Sequence, residues 1–571
     1  MLGVALGRPD PWRRTSGNAT ATNSLWGVRP PSERWVSPRG GPGGSQGGLD
    51  GPGAALGFRY WPFWLTAVAV CLLAITGILP HWPGLVQQAG IGPLDQVADM
   101  RVLLAESSSW AWFALGTVLD VLVRSWLLAA ALGGMRRIRL AVEFTAASLV
   151  PALVSAELAY SGQAILYAVL AWVGIGVAVL AVLAMAALPW RSERGLLAGA
   201  AGSIRRGACI PTVAAYLLAM GALGYLVRRG GEPAELAGVL VSAALSVLTA
   251  RHMAGSRTPV APARLATVAV MGALCVALVA AGLVGAKAPP GVSRATGSPG
   301  SGTRAAGRAP GTLFVVPGID TSSGHGSAFE IDPALLGFSC SHTVYYSYAG
   351  PGKGASQQQA VCPIRSGAPY SRTDTGRPLG VLAEYLVEQL RALRSPVTVV
   401  THSSGSWVLW AALLDDRDLP VTRVVLLAPL WGSIGYPMAG VEAPGLPGAA
   451  GMRLIVRLGR DIHFTTFRPS EPLARTLLAV PGYASSLLAR RVPRRIRVIA
   501  IQSWFDLVVV GRPVTFEGIV PGCPVLVPHG AVPTSGAAMS QAAAFLSGAR
   551  RPGCGWWSRL SADLTYSFRV P

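Results

Sequence analysis

The chain is short of charge. Only 13% of its 571 residues are Asp, Glu, Lys or Arg, about half the share of an ordinary soluble domain. Acidic residues are the scarcer sign, 27 against 48 Lys and Arg, for a formal net charge of +21. With 51% hydrophobic residues and a mean hydropathy of +0.45, this excludes a plain soluble globule. It implies a chain that spends much of its length in lipid. The cations are scattered, and no Lys/Arg stripe is interleaved with aromatics, so no nucleic-acid partner is expected. No apolar run lies near Met1, so no cleavable signal peptide is expected. No CxxC or His-rich spacing occurs, so no metal or other cofactor is expected.

What is present divides into zones. Residues 1–59 are rich in Gly, Pro, Ser and Arg and read as a disordered tail. Residues 60–286 carry long apolar runs, with candidate spans at 61–80, 109–133, 140–159, 163–188, 207–227, 234–250 and 264–286. The run 234–250 is the shortest, so the count is seven, or six without it. Arg8, Arg13, Arg14, Arg29, Arg34, Arg39 and Arg59 place the tail in the cytoplasm by the positive-inside rule. Arg136, Arg137, Arg139, Arg191, Arg194, Arg205, Arg206, Arg251, Arg257 and Arg264 then fall on cytoplasmic loops, and Arg228-Arg229 is the misfit. Seven spans put everything after 286 outside the cytoplasm. Asp120 and Arg124 stand i, i+4 inside the second span and read as a self-neutralising pair facing the bundle interior. A polar path for a substrate or proton is the alternative.

Residues 287–310 read as a flexible linker. In residues 311–571, short β-branched runs alternate with amphipathic helical stretches, the pattern of an α/β domain with a mostly parallel sheet. The expected fold class is a multi-span α-helical membrane domain joined to an extracytoplasmic α/β domain. Cys340, Cys362, Cys523 and Cys554 all lie in the latter and suggest two disulfides. Four cysteines allow three pairings; local pairing, Cys340–Cys362 and Cys523–Cys554, is expected.

The chemistry concentrates around residues 396–414. Val397–Val400 reads as a buried strand and Trp407–Leu414 as a buried helix. Between them lies Thr401-His402-Ser403-Ser404-Gly405, a G-x-S-x-G pattern with Thr in place of the first Gly. Such a strand–elbow–helix turn lifts the Ser oxygen clear of the sheet at a helix N-terminus. There the dipole and the following backbone N–H favour a developing oxyanion. The competing reading is a Ser that only caps the helix. Downstream, 497–502 reads as a strand followed by Asp506, and 524–528 as a strand followed by His529. Open α/β sheets gather their sites just past such strand ends. A helix at 535–548 follows.

These residues resemble the α/β-hydrolase superfamily, and within it the serine lipases and esterases, over about 260 residues. The resemblance implies Ser403 as nucleophile, Asp506 as acid and His529 as base, in the superfamily's chain order. Thr312–Val316 followed by Pro317-Gly318-Ile319 looks like its oxyanion turn, although Pro-Gly stands where His-Gly is common. The Ser404 and Ile319 N–H groups would then form the oxyanion hole. The insertion 431–493, apolar with scattered Arg, looks like a cap, and beside a membrane an apolar cap suits acyl chains. Among rival residues, His402 inside the elbow reads as structural, His325 as lining an entrance, and Asp461 and His463 in the insertion as substitutes. Asp374 reads as an N-cap.

The expected protein is therefore an integral-membrane serine hydrolase with the bilayer and an ester or acyl substrate as partners. It would cleave carboxylic esters of lipids or cell-envelope acyl groups without a cofactor. An acyltransferase or thioesterase with the same triad, and a non-catalytic binding domain on a transporter-like bundle, are the alternatives.

Overall fold

The computed structural model describes residues 60–91, 94–185, 190, 210–255, 311–394, 396–432, 447–462, 468–478, 482–510, 516–549, 553–556 and 560. The tail at 1–59, the span at 264–286, the linker at 287–310 and His463 lie outside them.

Among the described residues, the α-helices of the helical region are α1 (Trp61–Ile75), α2 (Leu94–Glu106), α3 (Trp110–Leu132), α4 (Ile138–Ala164), α5 (Ala168–Met185) and α6 (Ile210–Gly255). Helix α3 starts where the Ser109 side chain accepts from the Trp112 N–H and stops at Gly133, which has a φ of +131°. Trp110–Leu132, Met135–Ala164 and Gly230–Ala254 are long and apolar enough to cross a membrane. Trp61–Ile75, Ala168–Val182 and Ala215–Val227 are apolar but shorter. The run read as the weakest span, 234–250, is thus among the longest. Its helix reaches back to a break in α6 at Gly231, where φ is +67° and Pro233 follows. The span expected over 61–80 is curtailed at Ile75, with Gly77 turning at a φ of +73°. Leu72, Ile75, Leu119, Leu122, Val150 and Leu218 are exposed apolar side chains on these helices. That suits surfaces facing lipid.

The Asp120–Arg124 pair is more than self-neutralising. Arg124 donates through Nε to Asp99 at 2.6 Å and through a terminal nitrogen to the Gly90 carbonyl at 3.0 Å, and lies 3.6 Å from Asp120. Asp120 in turn accepts from Gln96 at 3.2 Å.

The second region is built on a six-stranded parallel sheet: β1 (Thr312–Val316), β2 (Thr343–Tyr345), β3 (Val397–His402), β4 (Val421–Leu427), β5 (Arg497–Ile501) and β6 (Ile519–Pro521), in the order β2-β1-β3-β4-β5-β6. Parallel strands covered on both faces read as continuous apolar runs. Accordingly, all six residues of β3 are buried. Helices α7 (Leu379–Arg391), α8 (Gly405–Asp415) and α13 (Gly536–Ser547) accompany the sheet. Between β4 and β5 the insertion supplies α9 (Pro447–Asp461), α10 (Pro472–Leu478) and α11 (Tyr483–Ala489), and the four-residue α12 (Leu507–Val510) follows Asp506.

The strand expected over 524–528 is instead β6 at Ile519–Pro521. Pro524 and Pro528 have no N–H to give a ladder, and Val525 makes only an isolated bridge to Ser503. Disulfides join Cys340 to Cys362 and Cys523 to Cys554. Asp374 closes a capping box with Ser371 at the N3 position of a short 3-10 turn rather than as an N-cap.

The core around the sheet does not end at its own helices. Tyr160, Ala164, Ile165, Leu166 and Ala171, from the tip of the α4–α5 hairpin, are buried in it.

Candidate active site

Strand order reverses at β1, which has β2 on one side and β3 on the other. In open parallel sheets, ligands bind outside the carboxyl ends of the strands at such a switch point. Ser403 sits there, directly after β3, with a φ of +55°. A non-glycine residue in the left-handed region is strained, and such strain persists only where surrounding contacts over-determine it. Here the Ser403 N–H donates to the Leu427 carbonyl at 3.0 Å, and the Ser406 N–H donates to the Ser403 carbonyl at 3.1 Å.

Two glycines let the elbow close. A Cβ on Gly405 would lie 2.5 Å from the Pro317 carbonyl oxygen, and one on Gly318 would lie 2.9 Å from the Ser403 Cβ. Thr401, where the pattern has Gly, is fully buried, and its hydroxyl pairs with that of Ser406 at 2.8 Å. The extra side chain is therefore absorbed by a hydrogen bond on the far side of the turn.

Asp506 follows β5 and His529 follows β6, so both stand at the same sheet edge as Ser403. The His529 Nδ1 lies 2.6 Å from Asp506 Oδ2. A carboxylate only accepts, so Nδ1–H donates and the neutral ring keeps a lone pair on Nε2. Asp506 is 1% exposed. Burial disfavours the His529 cation, but the Asp506 charge and hydrogen bond outweigh it, and the ring's pKa is raised above the ordinary histidine value.

Ser503 ties the two turns together. Its hydroxyl accepts from the Phe505 N–H at 3.1 Å and donates to the Val527 carbonyl at 2.6 Å, while the Trp504 N–H donates to the Val525 carbonyl at 2.8 Å. Nothing in the sequence marked Ser503 except its place before Trp504-Phe505-Asp506.

His402 precedes Ser403 in the chain and packs against His529. Its Nε2–H donates to the His529 carbonyl at 3.1 Å, and the two ring centroids are 5.0 Å apart. Burial, reinforced by nearby His529, lowers its pKa to about 3, so it stays neutral. His325 lies in the turn at 322–325, bridging to Ser322. Asp461 closes α9 and is ion-paired with Arg457 at 4.0 Å.

The expected oxyanion donors differ in state. Ser404 is the N-cap residue of α8, where the helix leaves backbone N–H groups without intrahelical acceptors. The Ile319 N–H is engaged, donating to the Ser404 Oγ at 2.7 Å. It could serve an oxyanion only if that hydroxyl rotated away. The turn carrying Ile319 is otherwise held firmly. Tyr348 O–H donates to the Pro317 carbonyl at 2.6 Å, Thr321 O–H to the Gly318 carbonyl at 2.8 Å, and the Asp320 N–H to Thr375 Oγ1 at 3.0 Å.

No known protein family, curated protein or solved structure matches this chain. Among the described residues, no group of three or more His, Cys, Asp or Glu side chains is arranged to hold a metal ion.

Proposed function

We propose that the chain is an integral-membrane serine hydrolase of the α/β-hydrolase kind, which cleaves carboxylic esters of lipids or of acylated cell-envelope components. The observation that carries the reading is the pairing of His529 with buried Asp506 at 2.6 Å on the sheet edge where Ser403 is held in a left-handed elbow.

In this mechanism His529 Nε2 takes the Ser403 hydroxyl proton as Ser403 Oγ attacks the ester carbonyl carbon. Asp506 stabilises the resulting imidazolium and fixes the ring. The oxyanion develops at the N-terminus of α8 and is stabilised by the Ser404 N–H. The imidazolium then protonates the departing alkoxide as the carbon–oxygen bond breaks, leaving an acyl-Ser403. Water, deprotonated by His529, releases the acid and returns the hydroxyl.

The surroundings of the site support this substrate class. Helix α9 of the insertion exposes Leu454 and Leu458 beside Arg453, Arg457 and Arg460, and Ile462 directly after it is exposed as well. Its N-terminal part lies against the helical region: a Cβ on Gly448 would come 2.7 Å from the Tyr160 ring. An amphipathic cap helix that exposes leucines among arginines, beside lipid-facing helices, favours substrates with acyl chains. Helix α4 supports the proposed orientation. Arg136 and Arg137 precede its start, and its other end enters the core of the sheet region. With the arginine-rich end in the cytoplasm, the sheet region lies outside it, where the two disulfides are at home.

The test is turnover of p-nitrophenyl esters of increasing chain length by the full chain in lipid nanodiscs. The reading predicts ester cleavage that improves with chain length and disappears in Ser403→Ala. Folded protein that cleaves none of the series would refute it.

A further inference from the structure

The turn that carries Asp506 is gripped from two sides. Ser503 and Trp504 hold it to the chain leading into His529. Its other side faces the helical region. Trp172, near the start of α5, stacks on Trp504 with ring centroids 5.0 Å apart at 26° and meets Phe505 edge-on at 6.1 Å. The Trp172 Nε1–H donates to the Phe505 carbonyl at 2.7 Å, the oxygen of the peptide bond that leads into Asp506. Directly after Asp506, α12 packs on both α4 and α5, with Val509 and Val510 buried.

The hairpin tip that delivers Trp172 is itself strained. Leu166 has a φ of +56°, a conformation that L side chains adopt only when the surroundings impose it. Leu166 is buried in the core of the sheet region, and the Tyr167 N–H closes the turn on the Gly162 carbonyl. A region that served only as an anchor, joined through the 24 residues of 287–310, would need neither the strain nor an indole hydrogen bond to this peptide.

We propose that Trp172 is a positioning residue for hydrolysis: through the Phe505 carbonyl, helix α5 holds the Asp506 carboxylate against His529, so the helical region completes the active site. The proposal rests on the serine-hydrolase reading above. Hydrogen bonds weaken steeply with displacement and misalignment, and reacting groups moved by about 1 Å lose on the order of 10²-fold in rate. Asp506 is the charged group that faces His529, and His402, the other titratable ring beside it, is neutral above its lowered pKa of about 3.

The experiment measures the rate at which a fluorophosphonate labels the full chain in nanodiscs, as a function of pH. It compares wild type, Trp172→Phe, Trp172→Leu and Asp506→Asn. Trp172→Phe keeps a ring over Trp504 and removes only the donor. Wild type is expected to label with an acid limb set by His529. Trp172→Phe is expected to label about ten- to a hundredfold more slowly at its plateau. Its acid limb is expected to move to lower pH, because a poorly held carboxylate no longer raises the ring's pKa. Trp172→Leu should shift the limb the same way, toward that of Asp506→Asn. The limb is read as a ratio within each variant, so a smaller folded fraction does not alter it. Wild-type rates in Trp172→Phe, or a lowered plateau with an unmoved limb, would overturn the positioning role while leaving the hydrolase intact. If folded wild type does not label at all, the hydrolase reading itself falls, and this proposal with it.

Discussion

Adding one methyl group at Gly405 tests the elbow most sharply. The new Cβ would lie 2.5 Å from the Pro317 carbonyl oxygen and 2.8 Å from that of Val316. Both are backbone atoms at the end of β1, so no rotamer change relieves the clash. Ordinary contact begins near 3.4 Å, so the elbow and the turn after β1 must part by roughly an ångström. That turn also carries Gly318, which abuts the Ser403 Cβ, and Ile319, which bonds Ser404. Packing strain of this kind costs about 1–3 kcal/mol, and misplacing the nucleophile by about 1 Å costs on the order of 10²-fold in rate. Gly405→Ala should therefore fold with a lowered melting temperature and lose about two orders of magnitude in ester turnover. Gly530→Ala is the control: it adjoins His529, yet a Cβ there meets nothing within 4 Å. It should stay within about 0.5 kcal/mol of wild type. The assay is thermal melting by tryptophan fluorescence alongside p-nitrophenyl ester turnover. Wild-type turnover in Gly405→Ala would show that the elbow does not depend on this close approach.

Four further outcomes follow from the same contacts. Asp506→Asn keeps the shape of the buried pair but holds the wrong His529 tautomer, so turnover should fall by about 10⁴-fold, read as kcat on a soluble ester. His402 titrates at about 3 in the folded chain against an ordinary 6.5. The unfolded chain therefore takes up its proton first, so stability declines as pH falls through that window, and denaturant titrations of His402→Leu should show a flatter acid limb. Removing either disulfide by paired Cys→Ala substitution should lower stability by about 2–5 kcal/mol, read as a lower melting temperature than wild type without reductant and a smaller further drop on adding it. Gly380→Ala, in the first turn of α7 where a Cβ meets nothing within 4 Å, should raise the melting temperature through up to about 1 kcal/mol of helix propensity.

Much of the sheet region was legible because parallel strands announce themselves as unbroken β-branched runs. Val397–His402 and Arg497–Ile501 fall where the sequence placed strands, and the elbow residues stand between β3 and α8 as their order implied. The last strand was misplaced because Pro524-Val-Leu-Val-Pro528 has the composition of a strand while its prolines deny it a ladder. The real strand, Ile519–Pro521, is only three residues long. The engagement of the Ile319 N–H by Ser404 Oγ could not be read, since it depends on a rotamer 85 residues away. Trp172 was hidden for a similar reason. In sequence it is one more apolar residue in an expected span, 333 positions before the carbonyl it bonds. Only the burial of the α4–α5 tip in the sheet region's core brings them together. Gly231, unremarkable in sequence, became informative as the left-handed break that separates two helical stretches in α6.

The proposed chemistry stands or falls with Ser403 as an activated nucleophile. Its most direct measurement is peptide mass spectrometry of the full chain after reaction with a fluorophosphonate. One phosphonylated peptide is expected, containing Ser403, absent in Ser403→Ala and strongly reduced in His529→Ala. Folded wild-type protein with no adduct, an adduct on a different serine, or undiminished labelling in His529→Ala would contradict it.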